Sequence, residues 1–518
     1  ANMPQQAVFD FLGAPATHGG ARVARIDTHA ASVFLAGARA LKVKRAVRFP
    51  FLDYSTLEKR KAACQAELAV NRPFALEIYK RVLPITREPD GRLAIDGEGE
   101  PVEWAVEMGR FDETQTLDHL AAAGRIDATL ADALGRAVAE AHARVPAAED
   151  FDFAAALQEI VTQNDAELRA VPELFPEDAV STLTQAGIKA LARVRPLLAQ
   201  RQRGGFVRRC HGDLHLGNIV LIGGQPTLFD AIEFDERIAT SDVFYDLAFL
   251  LMDLIERELT PAANIVLNRY LTDARRDENL DALAALPLFM SVRAAIRAKV
   301  TTARRENAKD RIAIEQSARD YFALAQKLIA PAKPALVAVG GLSGTGKSLL
   351  ARSLAADIAP APGAVVLRSD VERKMLFGVA ETERLPQAAY TPEATEKVYA
   401  SLAQKARRVI RAGRSAIVDA VFARAGERNM ITGAADGADF HGVFLTADLA
   451  VRIARVGART GDASDADASV ARSQETYDLG SIDWSEVDAS GTPEDTLRNA
   501  RAWLHAHNED LSSPGLSR

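Results

Sequence analysis

Ala335-Leu336-Val337-Ala338-Val339-Gly340-Gly341-Leu342-Ser343-Gly344-Thr345-Gly346-Lys347-Ser348 decides the fold of the second half of this chain. The stretch opens on an unbroken apolar run, the pattern of a strand buried on both faces of a parallel sheet. Gly341 to Ser348 then fit G-x-x-x-x-G-K-[ST] at every position, and a helical pattern follows. In that context Gly341, Ser343, Gly344, Thr345 and Gly346 let backbone N–H groups turn inward around phosphate oxygens. The helix N-terminus adds positive potential. Lys347 is predicted to reach the β/γ-phosphates, and the Ser348 hydroxyl to ligate Mg²⁺. Further apolar runs at Ala364–Leu367, Ala416–Val418 and Gly442–Leu445 alternate with helical segments. Residues 335–505 therefore read as a P-loop NTPase-type α/β domain with a parallel sheet.

Open α/β sheets bind ligands at the carboxyl edge of their strands. Arg368-Ser369-Asp370 ends the second apolar run, and Arg373 follows one helical turn later. A carboxylate there can take the proton of an attacking hydroxyl, while Arg373 orients it or holds phosphate. The alternative is a helix-capping aspartate. Asp419 closes the run Ala416-Ile417-Val418, placed to hold Mg²⁺ through water or to orient the acceptor. Arg452, Arg455 and Arg459 recur at helical spacing before Gly461-Asp462, as in a phosphate-shielding lid. A solvated basic face is the alternative. Asp465 and Asp467 do not form an EF-hand, because Val470 and Thr476 stand where Gly and Glu are needed.

By these motifs residues 335–505 resemble the P-loop small-molecule kinases, the group of gluconate-type kinases, zeta toxins and polynucleotide 5′-kinases. The resemblance implies that Asp370 is the general base and that Arg373 engages acceptor or phosphate.

The first half has its own constellation. His211-Gly212-Asp213-Leu214-His215-Leu216-Gly217-Asn218 contains H-x-D-x-x-x-x-N, the spacing of a kinase catalytic loop. There Asp213 receives the acceptor proton and Asn218 binds Mg²⁺. A β-type run leads to Phe229-Asp230, which supplies a second metal carboxylate. His211 and His215 are four apart like zincin ligands, but Gly212 and Asp213 replace the Glu that motif needs. Upstream, Leu41-Lys42-Val43-Lys44 reads as a strand, so both lysines point the same way. Either can take the α/β-phosphates, held by Glu67 of the helix expected at Ser55–Arg72, which Ser55 could cap. Glu103–Met108 is the strand expected to offer backbone groups to adenine.

The loop at 211–218, Asp230 and Asp246-Leu247-Ala248 resemble the aminoglycoside phosphotransferase/choline kinase-like superfamily. Adding Arg48-Phe49-Pro50-Phe51-Leu52-Asp53, Phe229–Phe234 and Arg368–Asp370, nearly the whole chain is similar to bacterial bifunctional aminoglycoside phosphotransferase/ATP-binding proteins. Two features depart from the protein-kinase pattern: there is no G-x-G-x-x-G loop, and Asp-Ala-Ile-Glu replaces D-F-G. The implied class is a multidomain α/β protein: a bilobal, α+β, protein-kinase-like fold followed by the P-loop domain. Its divisions are a small lobe at 1–115, a large lobe at 116–329, the Pro-rich linker 330–334, the P-loop domain 335–505 and a flexible tail 506–518.

Composition fits this reading. At 518 residues the chain exceeds what one core supports. A net charge of −7 does not favour a non-specific nucleic-acid or membrane-surface binder. The two cysteines, Cys64 and Cys210, suit a reducing compartment. No uncharged apolar run reaches the ~18–20 residues of a membrane span, no signal peptide is visible, and Ala1-Asn2 ahead of Met3 read as an appended remnant. The expectation is a cytoplasmic two-site phosphotransferase using Mg²⁺ and ATP, with GTP as the alternative donor. Its acceptors are hydroxyls of small molecules or nucleotides. The rival reading makes the P-loop half a nucleic-acid 5′-hydroxyl or toxin-like kinase and the first half a regulatory nucleotide-binding module. Nothing in the sequence sets the oligomeric state.

Overall fold

The computed structural model describes residues 4–459 and 462–507. Ala1-Asn2, Gly461 of the arginine segment, and the expected tail from residue 508 lie outside the described residues. The chain packs as two compact units. One holds the described residues up to Phe153 together with Ala199–Asp253; the other holds Ala154–Leu198 and the described residues from Leu254 on.

The first unit is built on a six-stranded antiparallel sheet. Its order is Val23–Asp27, Ala31–Ala36, Arg39–Lys44, Glu100–Gly109, Tyr79–Arg87, Leu93–Ile95. Period-two alternation splits the sheet's side chains between two apolar layers. Phe34, Leu41, Val43, Leu83 and Ile85 pack with Val8, Phe9 and Leu12 of the helix Gln5–Gly13. Tyr79, Val106 and Ile78 pack with Cys64 of the helix Leu57–Asn71. That helix is capped by Thr56, whose side chain accepts from Lys59 N, and not by Ser55. In the expected adenine strand Glu103–Met108, residues Ala105–Met108 pair with neighbours on both edges, whereas Glu103 and Trp104 pair on one edge only. The backbone groups of Ala105–Met108 are committed to the two ladders, while Trp104 N donates to Glu103 Oε1 at 3.1 Å.

The second unit contains a five-stranded, wholly parallel sheet in the order Val365–Arg368, Ala416–Asp419, Ala335–Gly341, Asp439–Thr446, Ser485–Asp488. The central strands are buried along their length, and Leu350, Leu354, Ala500 and Leu504 from flanking helices fill one core layer. Among the described residues one helical stretch, Glu278–Ala303, has the length and apolarity to cross a membrane, although charged residues such as Arg293 interrupt it. Its apolar window is 78% buried, as in a core helix. Its C-terminal helix, Leu286–Ala303, packs along Arg311–Ile329.

Candidate active sites

In the first unit a strand, a helix and two loops converge. Lys42 and Lys44 leave one face of Arg39–Lys44, and both ammonium groups reach Glu67 Oε1, at 2.9 and 2.6 Å. The remaining partners separate them. Lys42 Nζ lies 3.5 Å from Asp230 Oδ1, and Lys44 Nζ lies 2.8 Å from Glu233 Oε1. Burial opposes charge on both lysines, but the surrounding carboxylates outweigh it and hold both above the ordinary lysine value. Burial likewise opposes ionisation of Glu67, and the two lysines override it, so its carboxyl titrates below the usual range. The side chain of Lys44 is 2% exposed against 17% for Lys42, so Lys42 is the one with access to a ligand.

The loop 211–218 is built by local bonds and anchored from below. His211 donates from Nε2 to Phe229 O at 2.6 Å, and its Nδ1 accepts from Asp213 N at 3.2 Å, which assigns a neutral tautomer. Burial pulls its pKa down, in keeping with that state. Asn218 Nδ2 donates to Asp213 O and Oδ2, each at 3.0 Å. Gly212 has φ 89°, and a Cβ there would come within 2.8 Å of Ala239 Cβ, so only glycine fits. Asp230 also sits at positive φ, its N–H bonded to Tyr79 Oη at 2.9 Å.

Sequence reasoning quoted Asp246 only within the family-like motif Asp246-Leu247-Ala248, with no role of its own. Its carboxylate accepts from His211 N, Gly212 N and His142 Nε2 at 3.3, 3.0 and 2.8 Å. Asp253, on the same helix Val243–Glu256, accepts from Leu216 N at 2.9 Å. The signal was the spacing, since seven residues is two helical turns on one face. Glu233, which joins Lys44, was quoted only as part of the family-like stretch.

In the second unit Gly341–Ser348 leads from the central strand into the helix Lys347–Ala355. Gly344 has φ 86°, and a Cβ there would lie 2.5 Å from Arg452 O. Lys347, Ser343 and Thr345 are buried in the loop. At the carboxyl edge Arg368 Nε is 3.3 Å from Asp419 Oδ2 and its Nη2 is 2.9 Å from Asp462 Oδ1. Burial disfavours the guanidinium charge, but these two carboxylates reverse the effect.

Asp370 lies in the first turn of Ser369–Leu376, whose N-cap is Arg368, so it is not the capping residue. Its carboxylate makes no hydrogen bond among the described residues. Arg373 does not orient it as expected. Its Nη1 donates to Ala389 O and Thr395 Oγ1 at 2.8 and 3.2 Å, and its guanidinium lies 4.7 Å from the Tyr390 ring centre. The helix turns Arg373 onto the segment after it, where the Ala389 carbonyl and the Thr395 hydroxyl accept from the guanidinium.

The arginine segment differs from a solvent-facing lid at its first member. Arg452 is 1% exposed beneath the phosphate loop, donating to Ser343 O at 2.8 Å and Ala471 O at 2.9 Å. Gln474, absent from the sequence reading, accepts from Ser343 N at 2.6 Å and donates to Ser343 Oγ at 3.0 Å. Arg455 binds Gly344 O at 3.1 Å and Gly491 O at 2.8 Å, and Arg459 stands 3.9 Å from Asp462. Asp465 accepts from Lys374 Nζ, Tyr390 Oη and Leu385 N, while Asp467 caps Ala468–Gln474. Both carboxylates therefore serve protein donors.

Comparison with known proteins agrees with these two constellations. Residues 64–286 match the model of the phosphotransferase enzyme family, and residues 336–477 match that of an AAA domain. Uncharacterized proteins of Mycobacterium tuberculosis and Mycobacterium bovis are each 29% identical over 494 residues, covering 92% of this chain and 94% of theirs. Among solved structures, a gluconokinase from Sinorhizobium meliloti is 23% identical, covers 35% of this chain and 96% of its own, and has a TM-score of 0.26. A choline/ethanolamine kinase family protein from Mesorhizobium loti is 15% identical over 63% of this chain and 95% of its own, with a TM-score of 0.40. An aminoglycoside phosphotransferase from Alicyclobacillus acidocaldarius is 13% identical over 63% and 94%, with a TM-score of 0.37. With a phosphate loop on a parallel sheet and a kinase-type loop near two paired lysines, the chain is a multidomain α/β phosphotransferase whose residues 64–286 match the model of the phosphotransferase enzyme family and whose residues 336–477 match that of an AAA domain.

Proposed function

We propose that the chain transfers the γ-phosphoryl group of ATP at two separate sites, each to a hydroxyl of a small molecule or nucleotide. One observation carries the first site. Lys42 meets Glu67 and also Asp230, which lies 188 residues from it in sequence, and Asn218 is bonded to Asp213. In this reading Lys42 grips the α/β-phosphates. Asp213 takes the acceptor proton as the acceptor oxygen bonds to the γ-phosphorus, the bond to the β,γ-bridging oxygen breaks, and ADP departs. Asn218 turns its Nδ2 to Asp213, which leaves its amide oxygen, with the carboxylate of Asp230, as hard oxygen donors that fit Mg²⁺. When bound, the ion neutralises charge on the β- and γ-phosphates.

At the second site the phosphate loop and Lys347 hold the triphosphate, with Arg455 and Arg459 beside it. The Ser348 hydroxyl and the carboxylate of Asp419, whose Oδ2 also faces Arg368 Nε at 3.3 Å, would hold Mg²⁺, and Asp370 is the base. Arg373 borders the acceptor space with Tyr390. The functional divisions remain lobes at 1–115 and 116–329 and a P-loop domain at 335–505. We place the protein in the cytoplasm, which its free cysteines Cys64 and Cys210 support.

The test is transfer from γ-labelled ATP to pooled hydroxyl metabolites and to 5′-hydroxyl oligonucleotides, using wild type, Asp213→Asn and Lys347→Ala. Two labelled products, each lost in one variant only, are expected. A product that survives both substitutions, or labelled oligonucleotide alone, overturns the reading.

A further inference from the structure

The strand Val365–Arg368 lies at the edge of the parallel sheet and delivers Arg368-Ser369-Asp370 to its carboxyl end. Its inner side pairs with Ala416–Asp419, and Val365 N donates to Ser415 O at 2.9 Å. Backbone groups alternate sides along a strand, so Ala364 C=O and Val366 N–H point outward, where a further strand would pair. Among the described residues no strand lies there in the sheet order. Asn268, on the helix Thr260–Ala274, fills the place. Its Oδ1 accepts from Val366 N at 2.7 Å, and its Nδ2 donates to Ala364 O at 3.2 Å. One side-chain amide thus makes both bonds that the N–H and C=O of one residue in a neighbouring strand would make. Asn264, 2% exposed and one turn earlier, donates to Ala364 O at 3.0 Å and accepts from Asn268 Nδ2 at 3.1 Å on its own Oδ1. That second bond fixes the orientation of the Asn268 amide.

We infer that Asn268, oriented by Asn264, is a positioning residue for the P-loop site, acting as a surrogate strand that holds the segment leading to Asp370 in register. The inference rests on the P-loop reading given above. Both asparagines lie within the stretch matched by the phosphotransferase family model, 64–286, yet they belong to the compact unit that contains the P-loop sheet. The second site is therefore completed by residues that sequence assigns to the first half. Edge strands are commonly covered to prevent pairing with other chains. Here the cover is bidentate and lies two residues before Arg368, so it sets position as well as protection.

The test uses the full chain carrying Asp213→Asn, which silences the first site, with Mg·ATP alone and water as acceptor. Asn268→Leu keeps the side chain's approximate size and removes both bonds. The expected result is a ~10–10²-fold fall in kcat for ATP hydrolysis, the scale of a small misplacement of a catalytic group, with KM for Mg·ATP changed less than about twofold. Amide exchange at Val366 should accelerate in the same variant. Asn268→Asp keeps an acceptor for Val366 N–H and loses the donor to Ala364 O, so its turnover and exchange should fall between the two. Unchanged Val366 exchange, or unchanged kcat in Asn268→Leu, overturns the inference, as does a rise in KM with kcat intact. Lys347→Ala in the same background tests the underlying reading. If hydrolysis persists there, the P-loop assignment is what fails, while Val366 exchange still reports whether Asn268 holds the strand.

Discussion

Glu67→Gln should destabilise the first unit by about 3 kcal/mol. Removing one partner of a buried ion pair typically costs ~3–5 kcal/mol, because the remaining charge is stranded away from water. Glu67 is fully buried and neutralises two lysines at once, through Oε1 at 2.9 and 2.6 Å. Each lysine keeps one carboxylate, Asp230 at 3.5 Å or Glu233 at 2.8 Å, which places the loss at the low end of that range. For a domain of this size, ~3 kcal/mol lowers Tm by ~6–12 °C. Trp104 reports on this unit, because its carbonyl lies against Cys64 on the helix that carries Glu67. With Trp484 and Trp503 changed to Phe, it is the only tryptophan left of three. Its fluorescence followed through thermal and denaturant unfolding isolates the unit. The sign with pH follows from the depressed carboxyl pKa. The contribution is present above the unfolded value of 4.5 and is lost as pH falls towards the lower folded one. The wild type should therefore lose its advantage over Glu67→Gln in acid. A loss below ~1 kcal/mol at neutral pH, or an advantage that survives acid, would refute the view that this cluster is an ion-pair wheel.

Lys347→Ala should abolish triphosphate binding at the P-loop site and leave the other site's turnover intact; calorimetric titration that still finds two sites of unchanged affinity contradicts the assignment. Asp213→Asn should remove first-site transfer while ATP affinity stays near normal, and full turnover would revive a regulatory role for that domain. Asp370→Ala should slow P-loop transfer ~10²–10⁴-fold, the usual effect of losing a general base, with less than about 1 kcal/mol of stability lost, the scale of a first-turn acid. Melting and turnover measured together check that split. His211 is held neutral by burial, so the unfolded chain takes up a proton that the folded one refuses. Its stabilisation is present above its ordinary value of 6.5 and is lost as pH falls below that towards the folded pKa. His211→Gln should flatten that limb of the stability profile.

Both candidate loops were legible in sequence because each is contiguous. Gly341–Ser348 and His211–Asn218 bring their chemistry within one turn of chain, and the glycines at 212 and 344 fix the backbone locally. The parallel sheet was legible for a similar reason, since strands buried on both faces leave unbroken apolar runs. Its fifth member, Ser485–Asp488, was not, because it is an edge strand with a polar, half-exposed pattern. Period two put Lys42 and Lys44 on one face, and both do reach Glu67. Only the tertiary structure sends Lys42 to Asp230 and Lys44 to Glu233, because those carboxylates arrive from nearly two hundred residues away. Helical spacing likewise grouped Arg452 with Arg455 and Arg459, yet spacing carries no information about which face is covered. Arg452 is buried because Ser343 O and Ala471 O close around it. Asn268 had no local signal at all, since an asparagine amide becomes a strand partner only when folding lays its helix along an open sheet edge. Short-range steric and hydrogen-bonding rules are written in neighbouring residues, whereas the pairing of charges and the covering of edges depend on which distant segments the apolar cores bring together.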